Sequence, residues 1–75
     1  MKLSSLECGR EGIVTRIIKT QNNIRYQLIS LGIVPNTKIK MIRKAPLGGN
    51  SEYHVRGYSI GLHKEAADMI EIAYA

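Results

Sequence analysis

LISLGIVPNTKIKMIRKAP, Leu28 to Pro46, is the stretch that decides the fold. Ile24, just before it, joins Leu28 and Leu31 at i, i+4 and i+7, the stripe of one helical face. Gly32 stops that helix, because glycine takes the left-handed conformation of a C′ residue at no steric cost. With Leu31 as C-cap, Leu28 becomes C3 and Ile33 becomes C″, the two positions that touch in a Schellman ending. Val34-Pro35-Asn36-Thr37 then reads as a β-turn. Proline presets φ at its second position, and asparagine tolerates a positive φ at its third. From Lys38 to Lys44, Ile39 and Met41 point one way while Lys38, Lys40 and Lys44 point the other. That is the alternation of a half-exposed antiparallel strand with a lysine face.

Working outward, Gly12 to Lys19 is rich in β-branched residues and reads as a strand. Its apolar residues fall on both parities, Ile13 and Ile17 on one, Val14 and Ile18 on the other, as in a strand that bends across a small barrel. Thr20 to Asn23 is turn and cap material, with Asn22 or Asn23 as the helix N-cap. Ala45 to Ser51 reads as a loop with its greatest freedom at Gly48-Gly49-Asn50. Tyr53 and Val55, then Tyr58, Ile60 and Leu62, alternate with polar residues and glycine around a very tight turn at Gly57, a hairpin. Gly61 reads as a close backbone approach or a bend. His63 to Met69 is long enough for one helical turn, and Ile70, Ile72 and Tyr74 form a last strand. Five short strands cannot stack into two full sheets, so a small, partly open barrel is the economical way to hide their edges.

Seventy-five residues leave room for one domain, residues 1–75. One cysteine, Cys8, excludes an intramolecular disulfide. The N-terminus turns polar too soon for a signal peptide, and no apolar run approaches the roughly 20 residues of a membrane span. The expectation is a soluble cytoplasmic protein. The net charge of +5 is unevenly spread. No acid occurs from Gly12 to Ser51, where Arg16, Lys19, Arg25, Lys38, Lys40, Arg43 and Lys44 lie, while residues 52–75 are slightly acidic. A basic segment of this kind attracts acidic proteins, nucleic acid or anionic lipid without choosing among them.

Cys8, His54 and His63 have no metal-type spacing, and no metal or other cofactor is expected. His54, between Glu52 and Arg56, fits a solvated face. The acids are few and scattered, no phosphate loop is present, and a barrel this small is filled by side chains, so no enzyme is expected. The lysine face has two readings. One is a solvated edge strand whose lysines block edge-to-edge pairing. The other is an electrostatic contact surface. Nucleic-acid-binding barrels add stacking aromatics to a basic groove, yet only Tyr26 lies in the basic segment, with Tyr53, Tyr58 and Tyr74 at core-facing parities.

Leu28 to Asn36, as L-x-x-L-G-I-x-P-N, is followed by an alternating strand, A-P-L-G-G, V-R-G-Y-x-I-x-L and E-A-A-D-M-I. With the opening Leu3, Leu6, Gly9, Gly12 and Val14, this order resembles the FeoA family over essentially the whole chain. The resemblance implies a mainly β fold with short helices: a small SH3-like, five-stranded antiparallel barrel with one inserted α-helix. It implies a non-enzymatic accessory role in bacterial ferrous iron uptake beside FeoB, a membrane transporter with a cytoplasmic GTP-binding region. The family also occurs as a C-terminal domain of metal-dependent repressors, but no helix-turn-helix precedes the barrel here. On this reading the partner-binding residues are Arg25, Leu28, Leu31, Gly32, Ile33, Lys38 and Lys40. Nucleic acid is not the expected partner, and a nucleic-acid-binding SH3-like barrel is the alternative. The small core allows self-association.

Overall fold

Strand β1 (Glu11–Ile17) leads to helix α1 (Asn22–Ser30), then β2 (Lys38–Arg43), β3 (Ser51–Val55), β4 (Tyr58–Leu62), the short helix α2 (Lys64–Asp68) and β5 (Ile70–Tyr74). A turn of 3-10 helix, Leu3–Ser5, precedes them. These elements come from a computed structural model that describes residues 1–18, 22–45 and 49–75. Lys19, the end of the expected first strand, positions 20 and 21 of the expected turn and cap, and positions 46–48 of the loop with its Gly48 lie outside the described residues.

All five strands form one antiparallel sheet in the order β4-β3-β2-β1-β5. The architecture is the expected mainly β, SH3-like barrel with an inserted helix. Its core joins Val14, Ile39, Met41, Tyr53, Val55, Ile60, Leu62, Ile70 and Ile72 from the strands to Leu28, Ile33 and Ala67 from the helical segments. Leu3 and Leu6 are also fully buried. Leu3 opens the 3-10 turn and Leu6 caps it, a spacing of three that puts both on one side of it. No periodicity in so short a run marks them in the sequence.

The two parities of β1 have a definite cause. Val14 pairs with Ile72 and Arg16 with Glu71, so Thr15 is an extra residue, a bulge. Val14 is buried before it, and Ile17 packs on the core after it. A second bulge leaves Ile42 of β2 without a partner on β3 and exposed. Tyr58 and Tyr74 do lie at core-facing parity, but at the sheet's ends, where both stay more than 40% exposed. Tyr74 there carries the Arg10 guanidinium over its ring, 4.3 Å from the centroid. Gly61 is not a close approach: a Cβ there would come only to 3.4 Å from Asn50 Cβ, an ordinary contact.

One expectation is overturned outright. Strand β2 lies at the centre of the sheet, between β1 and β3. Its lysines therefore cannot guard an edge.

Candidate functional site

Helix α1 ends as its residues dictate. Gly32 has φ +87°. The Ile33 N–H donates to Leu28 O at 3.0 Å and the Gly32 N–H to Ile29 O at 2.9 Å, the two bonds of a Schellman motif. Leu28 and Ile33 are buried at 1% and 0% exposure. The turn that follows is closed by Thr37 N–H donating to Val34 O at 3.1 Å, with Asn36 at φ 74°. The N-terminal end differs from expectation. Asn22 and Asn23 both lie inside the helix, and Asn23 Oδ1 accepts the adjacent Ile24 N–H at 2.9 Å.

The end of α1 is gripped from the β3–β4 hairpin. Arg56 and Gly57 both have positive φ, 51° and 86°, the type I′ geometry of a two-residue hairpin turn. That turn brings Arg56 Nε to donate to Gly32 O at 3.2 Å, and the Tyr58 hydroxyl donates to Leu31 O. Thr37 Oγ1 donates to Gly32 O at 3.3 Å and accepts from Arg56 Nη2 at 3.4 Å. Carbonyls left over at the helix end are thus taken by side chains from a distant hairpin. Sequence reasoning missed Arg56 and Tyr58 in this role. A Cβ on Gly32 would meet Arg56 Cδ at 3.0 Å and Tyr58 Oη at 3.3 Å, a contact invisible in a linear pattern.

Of the seven expected partner-binding residues, Leu28 and Ile33 belong to the core and present no surface. Arg25, Lys38 and Lys40 are exposed, and Leu31 and Gly32 are half-buried. On the outer face of the sheet, Lys40 stands between Glu11 of β1 and His54 of β3, and Lys38 opposite Ile13. Ile39 pairs with Val55, so the next residue outward on each strand, Lys38 and Arg56, are neighbours at the helix end. Among the described residues the ion pairs are Arg16–Glu71 and Lys64–Asp68, and neither involves a cation of this face. Helix α1 adds Tyr26 and Ile29, exposed at 68% and 42%, on the side away from the core. The site is a basic face whose cations form no ion pair among the described residues, with Glu11 flanking Lys40, beside a helix that shows apolar groups to solvent. It offers electrostatic steering and contact area.

Two of the acids, Asp68 on α2 and Glu71 on β5, lie apart from this face and are favoured in their charged form. Ser4 and Lys64 donate to Asp68 and lower its pKa, and Arg16 does the same for Glu71. The barrel interior is filled, but a groove of about 410 Å³ lies outside it, between Ile24, Gln27 and Leu28 of α1, Gly61 and Leu62 of β4, and His63, Glu65 and Ala66. Among the described residues no cluster of three or more His, Cys, Asp or Glu could hold a metal ion, and no helix is long and apolar enough to cross a membrane.

The pattern that defines the FeoA domain matches residues 1–74. A FeoA/FeoB fusion protein from Porphyromonas gingivalis, named as Fe(2+) transport protein A joined to the Fe(2+) transporter FeoB, is 28% identical over 72 residues. That match takes in 96% of this chain and 8% of the relative's length. The FeoA protein of Chlorobium tepidum superposes with a TM-score of 0.88 at 32% identity, over 99% of this chain and 70% of that one. The FeoA of Stenotrophomonas maltophilia, solved with zinc and described as a prokaryotic SH3 domain protein, shares the fold with a TM-score of 0.85 at 24% identity, over 97% of this chain and 89% of that one.

Proposed function

The chain belongs to the FeoA family, and from that premise we propose that it is a non-enzymatic accessory module of ferrous iron uptake, binding the cytoplasmic part of the transporter FeoB. The observation that carries this reading is the basic face at the end of α1, whose cations form no ion pair among the described residues, on a chain whose relative is joined covalently to such a transporter. A covalent join keeps one module at high effective concentration beside the other, which is useful when the two interact.

In this reading Lys38, Lys40 and Arg25 supply on-rate and orientation. Tyr26, Ile29 and Leu31 supply apolar contact, while Gly32 holds the helix end in shape. Leu28 and Ile33 act only through the fold. The module biases the transporter between conformations, and it does so only as far as its affinities for the two states differ.

A kinetic binding titration against the transporter's cytoplasmic region tests the proposal. The double substitution Lys38→Glu, Lys40→Glu is expected to slow association by about tenfold at low salt and to leave dissociation nearly unchanged. Ile29→Asp should instead speed dissociation. Absence of binding by the unaltered protein would end this reading. Salt-independent association, unaffected by the lysine changes, would remove the basic face from it.

A further inference from the structure

Arg56 holds one edge of its guanidinium against the end of α1, and we infer that its other edge receives a single carboxylate side chain of the protein partner, as the anchoring contact of the basic face. The partner is the one proposed above, so the occupant rests on that reading while the geometry stands without it.

A guanidinium carries five N–H donors in one rigid plane. Nε and Nη2 of Arg56 form the side edge of that plane. They donate to Gly32 O at 3.2 Å and to Thr37 Oγ1 at 3.4 Å, two acceptors that are themselves joined by a 3.3 Å hydrogen bond. The stem is seated as well: Cδ and Nε lie 3.0 and 3.3 Å from where a Cβ on Gly32 would stand. The end edge, one N–H of Nη1 beside one of Nη2, is left over. Among the described residues no acceptor of the protein meets Nη1.

Arg56 is gripped and yet exposed. No carboxylate lies within ion-pair reach of it among the described residues. Glu52, the acid of β3, stands four residues back, about 13 Å along an extended chain, and opposite Arg43. The other cations of the face differ from Arg56. Arg25, Lys38 and Lys40 are exposed, and among the described residues their side chains are in neither of the ion pairs. Those three are free to steer, whereas Arg56 is set in place to anchor.

Geometry and charge select the occupant. Two parallel N–H groups at fixed spacing match the two oxygens of a carboxylate. A surface arginine ordinarily loses rotamer freedom when a partner grips it. Here the fold has fixed the side chain beforehand through Nε and Nη2, so little of that cost is left for binding. Lys38, its neighbour at the helix end, adds a second cation. The main-chain groups that Arg56 and Tyr58 meet at this end of α1 are carbonyl oxygens, the negative end of the helix dipole. A doubly charged phosphate is disfavoured there more strongly than a singly charged carboxylate.

Acetate, titrated into the full chain at constant ionic strength, is the first probe, read by NMR of the arginine side chains. The Arg56 Nη signals should shift with saturation while its Nε–H holds its position. Arg16, already paired with Glu71, should respond less. The second probe is the transporter's cytoplasmic region. Arg56→Lys keeps the charge and loses the fork. It should speed dissociation about tenfold and leave association nearly unchanged, the reverse of the double lysine change. Tyr58→Phe loosens the same helix end without touching the guanidinium, and dissociation should stay close to that of the unaltered protein. Unmoved Nη signals in acetate, inorganic phosphate binding there more tightly than acetate, or equal acceleration of dissociation by Tyr58→Phe and Arg56→Lys would each overturn the inference. If acetate shifts Nη and the unaltered protein does not bind the transporter region, the transporter reading fails and the carboxylate site stands.

Discussion

Gly32 answers two separate demands. Its φ of +87° suits a residue without Cβ, and the space a Cβ would need is held by Arg56 and Tyr58. Gly32→Ala is therefore expected to cost about 2 kcal/mol, the left-handed penalty plus displacement of the clasp, read from the urea midpoint. Tyr58→Phe removes only the hydroxyl that donates to Leu31 O. At a site open to solvent it should cost about 0.5–1 kcal/mol, and its effect should shrink in a Gly32→Ala background, since the two share one contact. Asp68 and Glu71 contribute to the acid limit. Both have pKa values lowered in the folded state, by Ser4 and Lys64 and by Arg16 respectively. Their stabilising contribution is therefore present above the ordinary carboxylate range, about pH 4, and is lost as pH falls through the lowered folded values. Asp68→Asn with Glu71→Gln should flatten the loss of thermal stability on acidification, because the variant lacks the carboxylates' contribution at neutral pH and has less left to lose.

Helix α1 attaches by a narrow seam. Among its described side chains only Leu28 is fully buried, with Ile24, and Leu31 just past its end, partly so. Leu28→Ala should cost about 2–4 kcal/mol and raise amide exchange across the helix more than across β1 or β3, which separates local loosening from global unfolding. How far each element could be read from residues follows the reach of the forces that shape it. The Schellman ending, the Pro35-Asn36 turn, the β2 alternation and the Arg56-Gly57 hairpin are set within a few residues, and the sequence states them. The β1 bulge was visible only as mixed parity, because a bulge is defined by its partner strand. The clasp of Arg56 and Tyr58 joins positions 24 and 27 residues apart, and nothing local marks it. Strand order escaped for the same reason. A lysine face looks alike on a central strand and on an edge, so β2 was open to the wrong reading while the true uncharged edge, β4, drew no notice.

At the scale of the whole molecule, charge and topology divide the labour. Among the described residues, the cations that form no ion pair include those on the outer face of β2 and at the end of α1, apart from the carboxylates of β5 and α2 and with Glu11 the acid beside Lys40. Of the candidate surface, the charges were legible because charge is a property of composition. The loss of Leu28 and Ile33 to the core was not, since an apolar stripe reads alike whether it docks inward or outward. The clasp carries one more meaning, in time. Leu31 waits on a hydroxyl 27 positions later in the chain. A polypeptide made from its N-terminus therefore holds the finish of α1 against water alone until the hairpin residues have emerged and closed. The backbone stop of α1 can close on its own residues, but the clasp over it cannot, so the neighbourhood of Arg56 and Lys38 at the helix end is assembled only once the hairpin is in place.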